Sequence, residues 1–242
     1  MRIGQSSNPA LSKNALSRVY NTSDVGQMTI NGTVNKTILS LLLVMLSAYF
    51  TWKYNFGMGI GMVGAIVGFI LAMVTVFKSE WAHITTPFYA IFEGLFLGSV
   101  SAYFNAMFSG IVFQAVGLTF GVAFAMLFAY RSGLIKATPK FQKGIIAATG
   151  GIAIFYILNL ILGFFGGGVS LANMGLLGIG IQLVIVGVAA LNLILDFDMI
   201  EKLSKTGAPK VMEWYGAFGL LVTLVWLYFE ILKLLSLLSN RD

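Results

Sequence analysis

Four acidic side chains stand where acids are rarely found. Glu93, Asp196 and Glu230 fall inside long apolar runs, and Asp198 sits at the end of one. An acid near the centre of a membrane helix costs about 2.5–3.5 kcal/mol on insertion scales, so such residues face a protein interior and mark ion or proton pathways. In Leu191-Asn-Leu-Ile-Leu-Asp-Phe-Asp-Met-Ile, Asn192 and Asp196 share a helical face, while Asp198 points about 200° away. In Trp226-Leu-Tyr-Phe-Glu-Ile-Leu-Lys, Lys233 follows Glu230 at i+3 on the same face.

Two readings of Glu230 stay open. In one it pairs with Lys233 at the outer interface, the lysine snorkelling to the headgroups. In the other it meets Asp196. Two carboxylates ~4 Å apart repel by ~4 kcal/mol at an effective dielectric of ~20, so such a pair would share one proton and titrate as a unit. Losing that proton would drive the two helices apart or towards a cation. Ca²⁺ takes oxygen ligands, which Asp196 and Glu230 would supply, with Asp198 or Glu93 as additional acids. The remaining acids, Asp24, Glu80, Glu201, Glu213 and Asp242, are expected in tails or loops and in solvent.

Other chemistry finds little support. There is no cysteine, which excludes disulfides, thiolate metal sites and a cysteine nucleophile. His83 is the one histidine and reads as a solvated loop residue rather than part of a metal site or triad. Gly59-Ile-Gly61-Met-Val-Gly64 has the form of a dinucleotide fingerprint, but it lies within an apolar run with no preceding strand. Helix packing through Gly64 and Gly68, Gly94 and Gly98, and Gly117 and Gly121 is the expected use of these glycines. The sequons at Asn21, Asn31 and Asn35 fall in a segment expected to be cytoplasmic and are discounted. No catalytic residue and no cofactor are expected, and an intramembrane aspartyl protease is disfavoured because the chain lacks Gly-x-Gly-Asp.

The elements that must position these acids are membrane helices. Of 242 residues, 58% are hydrophobic and 10% charged, against about 25% charged in an ordinary soluble domain. Apolar runs over 37–52, 56–77, 86–104, 111–130, 144–165, 173–198 and 214–238 are mostly long enough to cross ~30 Å at ~1.5 Å per residue. Barrel strands would instead alternate over ~10-residue segments. The chain is therefore expected to be an all-α integral membrane protein of seven transmembrane helices over 36–242, behind a polar, disordered cytoplasmic tail at 1–35. With the N-terminus inside, only Lys53, Lys233 and Arg241 of 15 basic residues lie outside, which is the bias of cytoplasmic loops. The formal charge of +6 is accordingly read as topology rather than as affinity for nucleic acid.

The last two segments resemble the Bax inhibitor-1 (lifeguard) family, in its bacterial YccA-like branch. The resemblance rests on Leu195-Asp-Phe-Asp-Met-Ile-Glu-Lys, on Leu227-Tyr-Phe-Glu-Ile-Leu-Lys-Leu-Leu and on Tyr89-Ala-Ile-Phe-Glu-Gly-Leu-Phe-Leu-Gly. It implies a bacterial inner-membrane protein whose seventh helix is enclosed by the other six, with a proton-sensitive acidic dyad linked to calcium leak. Carried over by position, the dyad is Asp196 and Glu230, with Lys78 as the base that latches Asp196. Glu230 is a departure, since the related dyad has Asp there. The dyad also requires the membrane portion of the last helix to begin near Phe218, not Trp214. The function expected is a pH-sensitive cation leak, for Ca²⁺ above all. The alternative is a non-transporting regulator that binds another membrane protein, such as a membrane protease, through its basic tail and the Arg131–Lys143 loop.

Overall fold

A computed structural model of the chain describes residues 26–240 and contains seven long α-helices. They are α1 (Ile30–Lys53), α2 (Gly57–Phe77), α3 (Ala82–Met107), α4 (Ile111–Arg131), α5 (Pro139–Phe164), α6 (Leu176–Lys205) and α7 (Met212–Ser239). Single 3₁₀ turns at Ser79–Trp81 and Leu171–Met174 precede α3 and α6. The helices follow the expected apolar runs; all but α2 extend theirs at one end or both, while Phe56, Phe165 and 173–175 lie outside the α-helices. Consecutive helices run antiparallel. The starts of α1, α3, α5 and α7 therefore share one end of the bundle, called here the basic face.

Local chemistry explains several ends. Thr29 caps α1 by accepting from Gly32 N, and Thr138 caps α5 by accepting from Phe141 N, with Pro139 in the first turn. The Thr29 cap starts α1 seven residues before the run expected at 37. Residues 26–35 therefore belong to the fold rather than to a free tail, while the tail expected over 1–25 lies outside the described residues. Met28 is buried and donates its N–H to Ala208 O at 2.8 Å, and Lys210 N–H donates to Gly26 O at 2.9 Å. These bonds pin the entry to α1 against the α6–α7 connection.

Six of the seven helices are long and apolar enough to cross a membrane; α3 is long enough but more polar. The position of α3 accounts for its polarity. Thr85, Thr86, Glu93, Ser99 and Ser101 are all buried between α1, α2 and α7, away from lipid. The outer surface is apolar in return, with Phe69, Phe77, Phe124, Phe128 and Ile157 each more than half exposed. A soluble protein could not present such a face, and a bilayer requires one. The protein is thus a multi-pass helical membrane protein.

The most buried helix is α7, with half of its apolar window inside the bundle against 6% for α5. It packs on α1, α3, α4 and α6, while α2 packs chiefly on α3 and α5 on α6. Small residues set these approaches. A Cβ on Gly94 would lie 2.5 Å from Val44 O, and one on Gly98 would lie 2.5 Å from Ala48 O, so α3 and α1 touch backbone to backbone. Gly64 meets Phe92 O across α2 and α3 in the same way. The expected Gly117–Gly121 contact does not form, because nothing lies within 4 Å of a Cβ at either position. That face of α4 looks outward.

Gly94→Leu should therefore lower stability by about 1–3 kcal/mol, the range for overpacking a tight contact. Gly121→Leu should change it little. Thermal unfolding of the two variants in one detergent would check the contrast.

Candidate functional site

Glu230 is almost fully buried in the half of α7 remote from the basic face. Its carboxylate accepts from Tyr156 Oη on α5 at 2.8 Å, Gln182 Nε2 on α6 at 2.7 Å and Trp226 Nε1 at 3.0 Å. Lys233 Nζ stands 3.3 Å away and 4.5 Å from the centre of the Tyr156 ring. The same Gln182 amide reaches Glu230 O at 2.9 Å. Three donors and a counter-ion satisfy and neutralise the Glu230 carboxylate and tie α5, α6 and α7 together. Of the two readings of Glu230, the Lys233 pair is the one that forms.

Asp196 is elsewhere. A Cβ on Gly219 of α7 would lie 3.7 Å from its Oδ1, and the Thr223 hydroxyl stands beside it. Its Oδ2 is sealed from the surface and has no hydrogen-bond partner among the described residues. Asn192, on the turn before, donates instead to Thr149 Oγ1 on α5 at 2.8 Å.

The Asp196–Glu230 pair is therefore not made. Glu230 is held at the level of Gln182, fourteen residues before Asp196 on the same helix. At ~1.5 Å per residue that is ~21 Å along the axis, several times a carboxylate–carboxylate contact. The cause is the start of α7. The helix begins at Met212, not near Phe218, so Glu230 rides too far along it to meet an acid lying opposite Gly219. The side chain that α7 offers to Asp196 is Thr223. Sequence reasoning passed over it, as it passed over Gln182 and Tyr156; the available signal was a polar residue inside an apolar run.

The other acids are dispersed as well. Glu93 is buried against α2, its Oε2 3.2 Å from where a Gly68 Cβ would stand. Asp198 pairs with Lys202 and accepts from Gln142 Nε2 at 2.9 Å. Among the described residues no group of three or more acids or histidines could hold a metal ion, so the expected Ca²⁺ ligand set of Asp196, Glu230, Asp198 and Glu93 is not assembled. Lys78 does not latch Asp196 in this structure. It sits where α2 ends, its Nζ 4.6 Å from the centre of the Trp81 ring, on a helix whose main partner is α3.

Two acids expected in solvent are engaged. Glu213 is buried in the first turn of α7, accepts from Thr29 N and Thr29 Oγ1 at 2.9 Å each, and pairs with Lys36 on α1. Glu201 is half-buried, paired with Lys205 and bonded by the Tyr130 hydroxyl. His83 is exposed, but it sits in the first turn of α3 rather than in the loop expected for it, its Nδ1 3.0 Å from Glu80 O.

On the basic face, a cavity of about 620 Å³ is lined by Tyr130, Arg131, Lys136, Asp198 and Glu201 among others. It is a mixed-charge vestibule beside the end of α6 that carries Asp196. Together these features define a class: a helical membrane protein with one unsatisfied carboxylate in its interior and its other membrane acids held by donors, cations or packing.

The chain belongs to the family described as Bax inhibitor 1 like, whose pattern it matches over residues 8–240. The match covers nearly the whole chain and agrees with the resemblance carried by the sixth- and seventh-helix phrases. No curated protein matches it.

If Glu230 and Lys233 form one neutral unit, Lys233→Met alone should destabilise by about 3–5 kcal/mol, because it strands a buried charge. Adding Glu230→Gln should recover much of that loss. Unfolding midpoints of the single and double variants in detergent would show whether recovery occurs.

Proposed function

We propose that the protein is a pH-sensitive cation leak, with Ca²⁺ as the principal permeant ion, in which Asp196 alone supplies the proton-sensitive group. The observation that carries this reading is the partnerless Oδ2 at the α6–α7 contact. An ionised carboxylate there lacks the donors it needs. Losing the proton obliges α6 and α7 to part at Gly219, or a cation to enter beside the charge. Asp198 and Glu201 on the vestibule wall would gather cations two and five residues away along α6.

Two fixed points give such a movement its pivots. Glu213 with Lys36 and Thr29 holds the basic-face end of α7 to α1. Glu230 with Tyr156, Gln182 and Lys233 holds the far end to α5 and α6. Asp196 lies between them. In this reading the remaining helices enclose α7, the N-terminus and basic face are cytoplasmic in a bacterial inner membrane, and no covalent chemistry or cofactor is involved.

A second reading is a regulator that binds another membrane protein without transport. Its support is the bare surface of α5 and the exposed Arg131, Lys136, Lys140 and Lys143, which run from the end of α4 into the first turns of α5.

Liposomes loaded with a calcium dye separate the two. The leak reading expects more Ca²⁺ entry at a pH where the Asp196 carboxyl is ionised than at a lower pH where it holds its proton. Asp196→Asn should flatten that profile, and Glu230→Gln should leave its shape unchanged. Flux no greater than in protein-free liposomes at either pH would reject the leak and leave the regulator.

A further inference from the structure

We infer that the protein holds one acyl chain of an anionic phospholipid in a lateral crevice between α1 and α4, in the leaflet remote from the basic face. Its volume is about 560 Å³, within the range of small-molecule sites. Its walls are apolar side chains such as Val44, Trp52, Val112 and Val116, and its floor is made by α3 and α7. The floor polar groups satisfy one another: Ser101 Oγ and the Tyr228 hydroxyl lie 2.7 Å apart. Thr119 Oγ1, also on the lining, donates to Ala115 O at 2.7 Å, so these three hydroxyls of the crevice are engaged within the protein.

Three observations select a lipid. The rims are exposed on both sides, at Met45 and Tyr49 on α1 and at Phe113 on α4, so the crevice faces the bilayer. Its α1 wall runs from Leu41 to Lys53, thirteen residues that span ~18 Å of helix. That is close to the ~15 Å depth of one leaflet's hydrocarbon. At its headgroup end stands Lys53, exposed, with Nζ 5.7 Å and 5.8 Å from the centres of the Tyr49 and Tyr54 rings. Among the described residues no carboxylate pairs with Lys53, whereas Lys233, the other described base of that half, is paired with Glu230. A lone cation in an aromatic setting, one leaflet's length from the Leu41 end of an apolar slot, complements a phosphate and its chain.

The test is native mass spectrometry of the full chain in detergent, titrated with phosphatidylglycerol and, separately, phosphatidylcholine. One retained lipid per chain is expected, with phosphatidylglycerol preferred. Lys53→Gln should cut that preference about five-fold, the factor one basic residue near a charged headgroup contributes. Val116→Trp, which fills the crevice, should abolish retention. Val184→Trp, on an exposed face of α6, should not. If Val116→Trp loses its unfolding transition, Lys53→Gln decides alone. Equal retention of the two lipids by the unaltered chain overturns the proposal, as does retention that survives a folded Val116→Trp. So does a lipid-free dimer that Val116→Trp breaks apart, which would make a second copy the occupant.

Discussion

Every polar group on α7 must find its partner within the bundle, because lipid offers none. This constraint organises the rest of the structure. Glu213 reaches Lys36 and Thr29 on the α1 side, Tyr228 reaches Ser101 on α3, and Glu230 gathers Tyr156, Gln182 and Lys233. Each partnership fixes the register of α7 against a different neighbour. A helix tied at several depths cannot slide, and that determines which residue stands opposite Asp196.

Against this background Asp196 is the exception among the acids; Ser40 Oγ and Gln182 Oε1 are the neutral buried side-chain atoms left without a partner among the described residues. Its neighbours on α7 are a glycine and a threonine, too small to supply what a charged carboxylate needs. The small residues let α6 and α7 come close, and the close approach seals Oδ2 of an otherwise half-buried acid. Tight packing and an unsatisfied oxygen thus have one origin. Natural structures leave few buried polar atoms without partners, and such an atom in a membrane interior is a reason to look for function there. The vestibule on the basic face and the crevice on the opposite half lie at different depths and have different linings, one charged and one apolar.

Much of the fold was legible in the residues. Seven apolar runs became seven helices because span length and composition are local properties, and the boundaries moved by up to seven residues. The errors there had specific causes. The Thr29 cap extends α1 back to Ile30, and Lys202 and Lys205 lie on a helical continuation of α6 that hydropathy alone ends at Asp198. The site was legible in part. Apolar context picked out Asp196 and Glu230 as acids placed inside the bundle, and the i, i+3 spacing offered the Lys233 pair that forms. It could not pick out Thr223, Gln182 or Tyr156, whose roles exist only across helix boundaries.

What the sequence by itself determined is which segments enter the membrane, which side chains cannot face lipid and which end of the bundle is basic. These are one-dimensional properties, carried by each segment whatever its neighbours. Only the tertiary structure decided depth. Whether two acids on adjacent antiparallel helices meet depends on where each helix begins and on the register in which they pack. A shift of one turn moves a side chain ~5.4 Å along the axis while leaving every apolar run intact. Asp196 and Glu230 differ by about four such turns, and no pattern within either segment records that difference.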